Sequence, residues 1–582
     1  MTETAPAAGP RPNKYARRRA ITLISVYVLF AAHMVHWKLA GRTLAPLEVN
    51  ELMYTLEAGV ITAGALLMVL VTLSVAVFGR FFCSWGCHIL ALEDLCSWLM
   101  EKVGIKPRVV RAKALLLVPM GAVLLMFAWP QVQFIFMDRP RPELHMAGDA
   151  DGWASFVTAD YWRNLPPPGI ALLTFAVVGF GMVYFMGHRA FCKYGCPYGA
   201  LFAIFDRIAP GKIRSTGKCD ACALCTASCQ SDINVHEELA TYGKVIDPGC
   251  LKDLDCVAAC PNGSIEYGFG KPALMRDRSL DAPKPPKAMF NRWEEWGMGL
   301  GFIPFLLMYR GLYGQLPLLM SLGLAAVSVY FVVVLLRLVR ADAVKLVRAQ
   351  LKADGKLRSS GWIALVLGVF FLAVVAHSTA IRIQEWRGTR LAEQITRTAA
   401  DGVELSTIDA GIAACRFVED YGLLSTPQAQ RSHGALLQAR GEYLAERGEY
   451  EDALSAFEEG VGLVPWHAKL RYNFALMLSI LDRQAEAAGH YRVATELAPG
   501  DADAWLNLGS LLMQAGEDAE AESCLRRAIE LRPDFGTPYF NLGQLLHAID
   551  RKDEAMPLLE RAAELDANYA EWLAKSRQEL EK

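Results

Sequence analysis

An excess of charge of either sign is what this sequence most plainly lacks. Its 59 Lys and Arg against 61 Asp and Glu leave a formal net charge of −2 over 582 residues, so no basic field points to nucleic acid as a partner. Charged residues are few, 21%, beside 53% hydrophobic ones. That balance excludes a disordered chain and argues against a purely soluble one. No phosphate-cradling glycine loop, nucleophile triad or pair of catalytic acids stands out, so chemistry beyond redox has no support. Cysteine is nearly missing outside one stretch, where 12 of the 14 lie between Cys83 and Cys260. Cysteine so concentrated signals disulfides, a metal or a cluster.

Seven apolar stretches approach the ~20 residues that cross a bilayer. They run over 20–37, 58–78, 114–137, 168–187, 296–314, 317–336 and 361–380. Lys and Arg in the short flanks orient them. Arg11, Lys14, Arg17, Arg18 and Arg19 keep the N-terminal tail, residues 1–19, in the cytoplasm. Arg80, Lys102, Lys106, Arg108, Arg111 and Lys113 do the same for the loop after the second span. Arg337, Arg340, Lys345, Arg348 and Lys352 do so after the sixth. The acidic loop around Asp138, Glu143, Asp149, Asp151 and Asp160 suits the far side, as does everything after about residue 381. Without a small-residue cleavage site, the first span reads as an uncleaved anchor. A bacterial cytoplasmic membrane is the expected location. The clustered cysteines then fall on the cytoplasmic side, where thiols stay reduced, and read as ligands rather than disulfide partners.

Cys219, Cys222, Cys225 and Cys229 have the spacing C-x2-C-x2-C-x3-C. Cys250, Cys256 and Cys260-Pro261 repeat it, with Asp253 at the second cysteine position. This is the two-cluster bacterial ferredoxin pattern, in which the fourth cysteine of each motif ligates the other cluster. By that rule Cys219, Cys222, Cys225 and Cys260 hold one 4Fe–4S cluster, and Cys250, Cys256 and Cys229 hold the second. Zinc ribbons pair two C-x2-C knuckles instead. Asp253 is a candidate fourth ligand, giving an Asp-ligated 4Fe–4S or a 3Fe–4S cluster; the alternative is a solvated loop acid. A carboxylate is a harder ligand than a thiolate. Gln230 stands where a proline usually follows the fourth cysteine.

A second pattern is duplicated. Arg80, Phe82, Cys83, Gly86, Cys87, Ala91 and Leu92 match Arg189, Phe191, Cys192, Gly195, Cys196, Ala200 and Leu201, each offset by 109. Spans one–two and three–four therefore read as a duplicated helical hairpin. If each C-x3-C lies on a helical turn, its thiols share a face, and the two copies together make a four-thiolate site. That site suits a third iron–sulfur cluster or copper(I); the alternative is a pair of buried structural cysteines. Cys96, Cys415 and Cys524 have no duplicate and read as core residues.

These motifs resemble the NapH/NosR group of membrane polyferredoxins, and the CcoG group is similar. The resemblance covers roughly residues 20–290. It implies cytoplasmic clusters exchanging electrons with a quinol pool or a periplasmic redox partner. In that family both C-x3-C motifs are followed by proline; here Pro197 fits and His88 departs.

His33 and His36 lie i, i+3 near the outer end of the first span, where local hydrogen bonding is favoured over quinone or haem contact. From residue 434 the chain repeats every 34 residues. Pro465, Pro499 and Pro533 mark one phase, and Ala453, Ala487, Ala521 and Ala555 another. Trp505, Leu508, Gly509, Ala521, Ala528 and Pro533 follow the tetratricopeptide pattern. Four repeats begin near 434, 468, 502 and 536, with a charged capping helix from Ser576 to Lys582. Such solenoids bind proteins or peptides.

The expected fold is mainly α. A polytopic membrane bundle of about seven spans carries a small α+β two-cluster ferredoxin insert and a C-terminal α-solenoid. The expected domains are the tail 1–19, the duplicated hairpins 20–190, the ferredoxin-like domain 191–290, three more spans 296–380, a helical lead-in 381–433 and the repeats 434–582. The expected function is iron–sulfur electron transfer. Copper or iron reduction for metalloprotein assembly, and a scaffold with structural clusters, are the alternatives.

Overall fold

The computed structural model describes residues 14–44, 51–107, 109–136, 141–146, 157–158, 168–217, 219–275, 289–347, 349–398 and 404–574. Arg11, Arg108, Asp138, Asp149, Asp151, Asp160, Arg348 and the expected capping helix at Ser576–Lys582 lie outside them. The chain divides into two compact units, Met1–Val374 and Val375–Lys582.

The first unit is built on apolar helices. Among the described residues of the chain, five helices are long and apolar enough to cross a membrane: Lys14–Ala40, Ala114–Phe136, Pro168–Met186, Leu318–Arg340 and Ser359–Thr396, the last running on past Val374. The other two expected spans are also helical. Ala63–Phe78 has 16 residues. Arg292–Tyr309 has 18, with Arg292, Glu294 and Glu295 in its first turn. A break over Arg310–Pro317 separates it from Leu318–Arg340, and Tyr309 hydrogen-bonds back to Ser328 at 2.9 Å, so 296–336 is a hairpin. Leu318–Arg340 is the most enclosed span, with Leu322, Ala325, Ala326 and Val329 in the main core. Leu29, Leu70, Leu300, Val366 and Phe370 on the other spans face outward, an apolar surface that lipid would cover. The third and fourth spans each contain a π-helical stretch, Leu124–Ala128 and Phe175–Gly181, a distortion frequent near functional sites.

The first helix begins at Lys14, inside the stretch read as the tail 1–19. Arg19 is buried, 3.1 Å from Asp255 and 3.3 Å from Asp94. A guanidinium withdrawn from water needs such carboxylates.

The insert after the fourth span is small. Strands Gly211–Ser215 and Ile265–Phe269 pair antiparallel in register from Gly211↔Phe269 to Ser215↔Ile265. The cysteine loops and two short helices, Leu224–Ala227 and Asp255–Ala259, lie between them in the chain.

The second unit is helical. Its first helix pair packs around Ile408, Ile412 and Cys415 against Leu436 and Leu437. Four repeat pairs follow: Pro427–Glu446 with Tyr450–Leu463, Ala468–Ile480 with Gln484–Leu497, Ala502–Ala515 with Asp518–Leu531, and Gly536–Ala548 with Lys552–Leu565. The first repeat helix thus begins seven residues before the expected 434, because Pro427 supplies its N-terminal turn. Two periodic devices explain the 34-residue phase. Gly441, Gly509 and Gly543 sit under Phe457, Leu525 and Leu559, where an added Cβ would meet side chains at 2.5, 2.9 and 2.7 Å. Arg471, Trp505 and Tyr539 donate to the carbonyls of Pro465, Pro499 and Pro533, each six residues earlier.

Candidate functional site

The two ferredoxin-type loops have matching backbones. Ala221 and Ala223 hold φ of 58° and 57° on either side of Cys222; Lys252 and Leu254 hold 59° and 67° on either side of Asp253. Non-glycine residues rarely adopt this left-handed region. Its paired recurrence shows that the second loop keeps the first loop's shape with Asp253 in the cysteine position. Cys225, Cys256 and Cys260 are buried in one apolar core, with Cys229 and Cys250 packed against it. Cys219 and Cys222 are exposed. Cys225 interacts with Cys219 and Cys222, and Cys256 with Cys250, Cys229 and Cys225. Burial pushes the Cys229 thiol up to about 12. Sulfurs crowded in so dry a place ionise together only when a metal centre takes the charge.

Asp253 is engaged elsewhere. Its Oδ2 accepts from Arg189 Nη1 at 2.5 Å, and its Oδ1 accepts the Asp255 N–H at 3.2 Å. Burial works to raise its pKa, but Arg189 outweighs burial and the carboxyl lies below its ordinary value. Arg189 also donates to Ser231 and Gln230. Gln230, in the position usually taken by proline, therefore binds the arginine.

The two C-x3-C copies fold alike. Cys83 and Cys192 lie in five-residue helices, Phe81–Trp85 and Ala190–Tyr194. Cys87 and Cys196 are the N-cap residues of the next helices, His88–Lys102 and Pro197–Ile208. The thiols are thus not on one continuous helical turn, as expected, but on two helices broken at Gly86 and Gly195. An added Cβ there would meet the Phe82 ring at 3.3 Å and the Phe191 ring at 2.7 Å. That contact is why phenylalanine and glycine recur with the cysteines. All four sulfurs share one apolar cluster. The Cys196 sulfur accepts the Gly199 N–H at 3.3 Å, whereas Cys87 makes no side-chain cap hydrogen bond, the Ile89 and Leu90 N–H groups only working to lower its thiol pKa. Burial raises the Cys87 thiol to about 11 and the Cys196 thiol to about 12. Among the described residues, no three His, Cys, Asp or Glu side chains close around a single ion.

Sequence reasoning missed Glu93. It is fully buried, its Oε1 accepts the Phe191 N–H at 2.9 Å, and its Oε2 accepts no hydrogen bond among the described residues. Burial lifts its carboxyl to about 7, and it interacts with Cys192. A lone acid on an otherwise apolar helix face was the available signal.

The hairpins and the insert are stitched together. Ser84 Oγ donates to the Leu251 carbonyl at 2.7 Å, Trp85 Nε1 to that of Lys252 at 3.2 Å, and Arg80 Nη1 to that of Pro248 at 2.7 Å. Cys83 adjoins Ser84 and Cys250 adjoins Leu251, so one hydrogen bond links the backbones of two candidate ligands. Cys96, Cys415 and Cys524 are buried, as read. His36 Nδ1 lies 2.9 Å from Thr43 Oγ1, the local contact favoured for it.

Comparison with known proteins bears on both units. The 4Fe-4S binding domain family matches residues 60–106 and 168–216, segments holding one C-x3-C motif each. Tetratricopeptide repeat families match 439–502 and 500–568. A putative electron transport protein of Escherichia coli, YccM, is 29% identical over 231 residues, 38% of this chain and 62% of that one. The methylamine utilization ferredoxin-type protein MauN of Paracoccus denitrificans is 29% identical over 174 residues, 28% of this chain and 53% of its own. The chain therefore spans less than two thirds of these relatives. Solved structures similar to part of it include MamA, 22% identical, covering 28% of this chain and 92% of that one with a TM-score of 0.24. YrrB, a tetratricopeptide protein, is 17% identical, covering 32% and 97% with a TM-score of 0.26. The chain carries a 4Fe-4S ferredoxin-type region and C-terminal tetratricopeptide repeats, and its relatives are ferredoxin-type electron transport proteins.

Proposed function

We propose that the protein is a membrane-bound electron carrier with three cysteine-held iron–sulfur sites. Two lie in the insert, on Cys219, Cys222, Cys225 and Cys260 and on Cys229, Cys250 and Cys256. The third lies on Cys83, Cys87, Cys192 and Cys196. The observation that carries this reading is the convergence of the duplicated cysteine pairs in one buried cluster, hydrogen-bonded to the loop of Cys250. A bound iron–sulfur cluster supplies a one-electron carrier tuned by hydrogen bonds to sulfur and by exposure. Around the third site Phe82, Phe191, Phe202 and Met68 exclude water, and helix N–H groups face the Cys87 and Cys196 sulfurs. Arg80, whose buried Nε has no hydrogen-bond partner among the described residues, brings its guanidinium to Gly199 beside the Cys192 carbonyl, where it would stabilise an anionic thiolate centre. Four thiols that do not close on one ion favour a cluster over copper(I). Exposed Cys219 and Cys222 give a cytoplasmic redox protein access. The hairpins lead toward a quinone pool or an extracytoplasmic partner, and the repeats recruit a protein. Asp253 serves as a latch for Arg189 and not as a ligand.

Anaerobic purification with iron and acid-labile sulfide analysis tests this reading. Three clusters per chain are expected; colourless, sulfide-free protein would overturn it.

A further inference from the structure

Three cations and one carboxylate are buried between the third site and the Cys250 loop. Arg80, Lys212, Lys252 and Asp206 are 5%, 2%, 1% and 1% exposed. Asp206 Oδ2 accepts from Lys212 Nζ at 2.9 Å, and Oδ1 lies 3.0 Å from Lys252 Nζ. The same Oδ1 accepts the Arg80 backbone N–H at 3.2 Å. One carboxylate thus serves two ammonium groups, and among the described residues no carboxylate forms an ion pair with the Arg80 guanidinium, which donates to the Pro248 carbonyl. Glu238, another half-buried acid on the Lys252 side, accepts the Ile246 and Asp247 N–H groups with its Oε2. Buried cations left without an anion cost several kcal/mol, so the fold holds positive charge in reserve. The cysteine segments lie against it: Lys252 Nζ donates to the Cys250 carbonyl at 3.3 Å, and the Arg80 guanidinium sits at Gly199, where an added Cβ would meet its Nη2 and the Cys192 carbonyl, each at 3.1 Å.

Resting on the cluster reading above, we infer that Arg80 and Lys252 raise the reduction potentials of the two thiolate sites they flank. Reduction adds one negative charge to a site already anionic, and burial in an apolar surround penalises that charge. Two fixed cations with only a share of one carboxylate offset the penalty. Asp206 is shared between Lys212 and Lys252, so its single negative charge leaves the group of three cations with an excess of positive charge. Residue 252 would then be a charge-setting position, its effect carried by the ammonium and not by its packing.

The test is an EPR-monitored redox titration of the anaerobically purified full-length protein, with dithionite as the electron source through mediators. Lys252→Gln and Arg80→Gln are each compared with Lys252→Arg and Arg80→Lys. The neutral variants should show at least a tenfold lower ratio of reduced to oxidised centre at a fixed potential, about 59 mV for one electron. The charge-conserving variants should stay near the unmodified protein. Neutral variants that fail to load iron while the charged ones load normally would equally support the inference. Unchanged potentials in fully loaded Gln variants would overturn it, as would loss of loading in the charge-conserving variants too, since shape would then be the requirement. Unmodified protein without iron and sulfide would instead sink the underlying cluster reading.

Discussion

Arg189 and Asp253, 64 residues apart, meet at 2.5 Å with side chains 3% and 11% exposed. Arg189 caps the helix that carries Cys192, and its backbone is held at φ 57°. Asp253 occupies the cysteine position of the second ferredoxin-type loop. The contact therefore joins a duplicated hairpin to the insert at the point where the loop departs from the thiolate pattern. The other hairpin's Arg80 reaches the same insert through Pro248. The recurrence of arginine at an offset of 109 thus has a structural reason, since each copy docks the insert with it.

Removing one partner of a buried pair strands the other's charge, at about 3–5 kcal/mol. Asp253→Ala should destabilise the first unit by that amount in denaturant unfolding, and Arg189→Met combined with it should recover part of the loss. Asp253→Asn should keep the EPR spin states of the unmodified protein. A changed spin state in Asp253→Asn would return Asp253 to the ligand set.

Sequence spacing made the cysteines, the duplication and the repeats legible because each is a local or periodic pattern. The Gly86–Phe82 and Gly509–Leu525 contacts leave a regular trace for the same reason. The charge network left none. Arg19 meets Asp255 across 236 residues, and Asp206 collects lysines from a strand and a loop. Such pairings depend on which helix ends the bundle brings together. Asp253 read as a ligand because its loop position, which the backbone bears out, does not reveal a guanidinium arriving from another element.

The third site separates from Cys96, a fully buried cysteine nearby. Cys83→Ser, Cys87→Ser, Cys192→Ser and Cys196→Ser should each lower iron and sulfide by one cluster's share and leave the insert's EPR signals. Cys96→Ser should lower neither. Equal iron in all five variants would remove the third site.

In the repeats, Gly509 lies where a Cβ would press on Leu525 at 2.9 Å. Overpacking of this kind costs about 1–3 kcal/mol. Gly509→Val should speed hydrogen exchange across Ala502–Leu531 while Gly489→Ala, which has open space around it, should not.

Membrane sidedness can be argued by parity. Arg19 at the start of the first helix touches Asp255, and Arg80 and Arg189, after the second and fourth, touch the same insert. An even number of crossings is therefore expected between these three positions, with the 16-residue helix Ala63–Phe78 crossing beside its longer neighbours. Arg111 joins this side through Asp232 at 2.6 Å, and its N–H meets Met289, whose carbonyl binds Arg337. Arg337 pairs with Glu294, so Arg292–Tyr309 and Leu318–Arg340 both cross or neither does, and the second is apolar over its 23 residues. Six crossings are then expected to return the chain to the insert's side, with Ser359–Thr398 as an expected seventh. With basic ends held inside, protease added to intact spheroplasts should cut the repeats and spare the insert, and both should be cut once the membrane is opened. Cleavage within the insert of intact spheroplasts would contradict this parity.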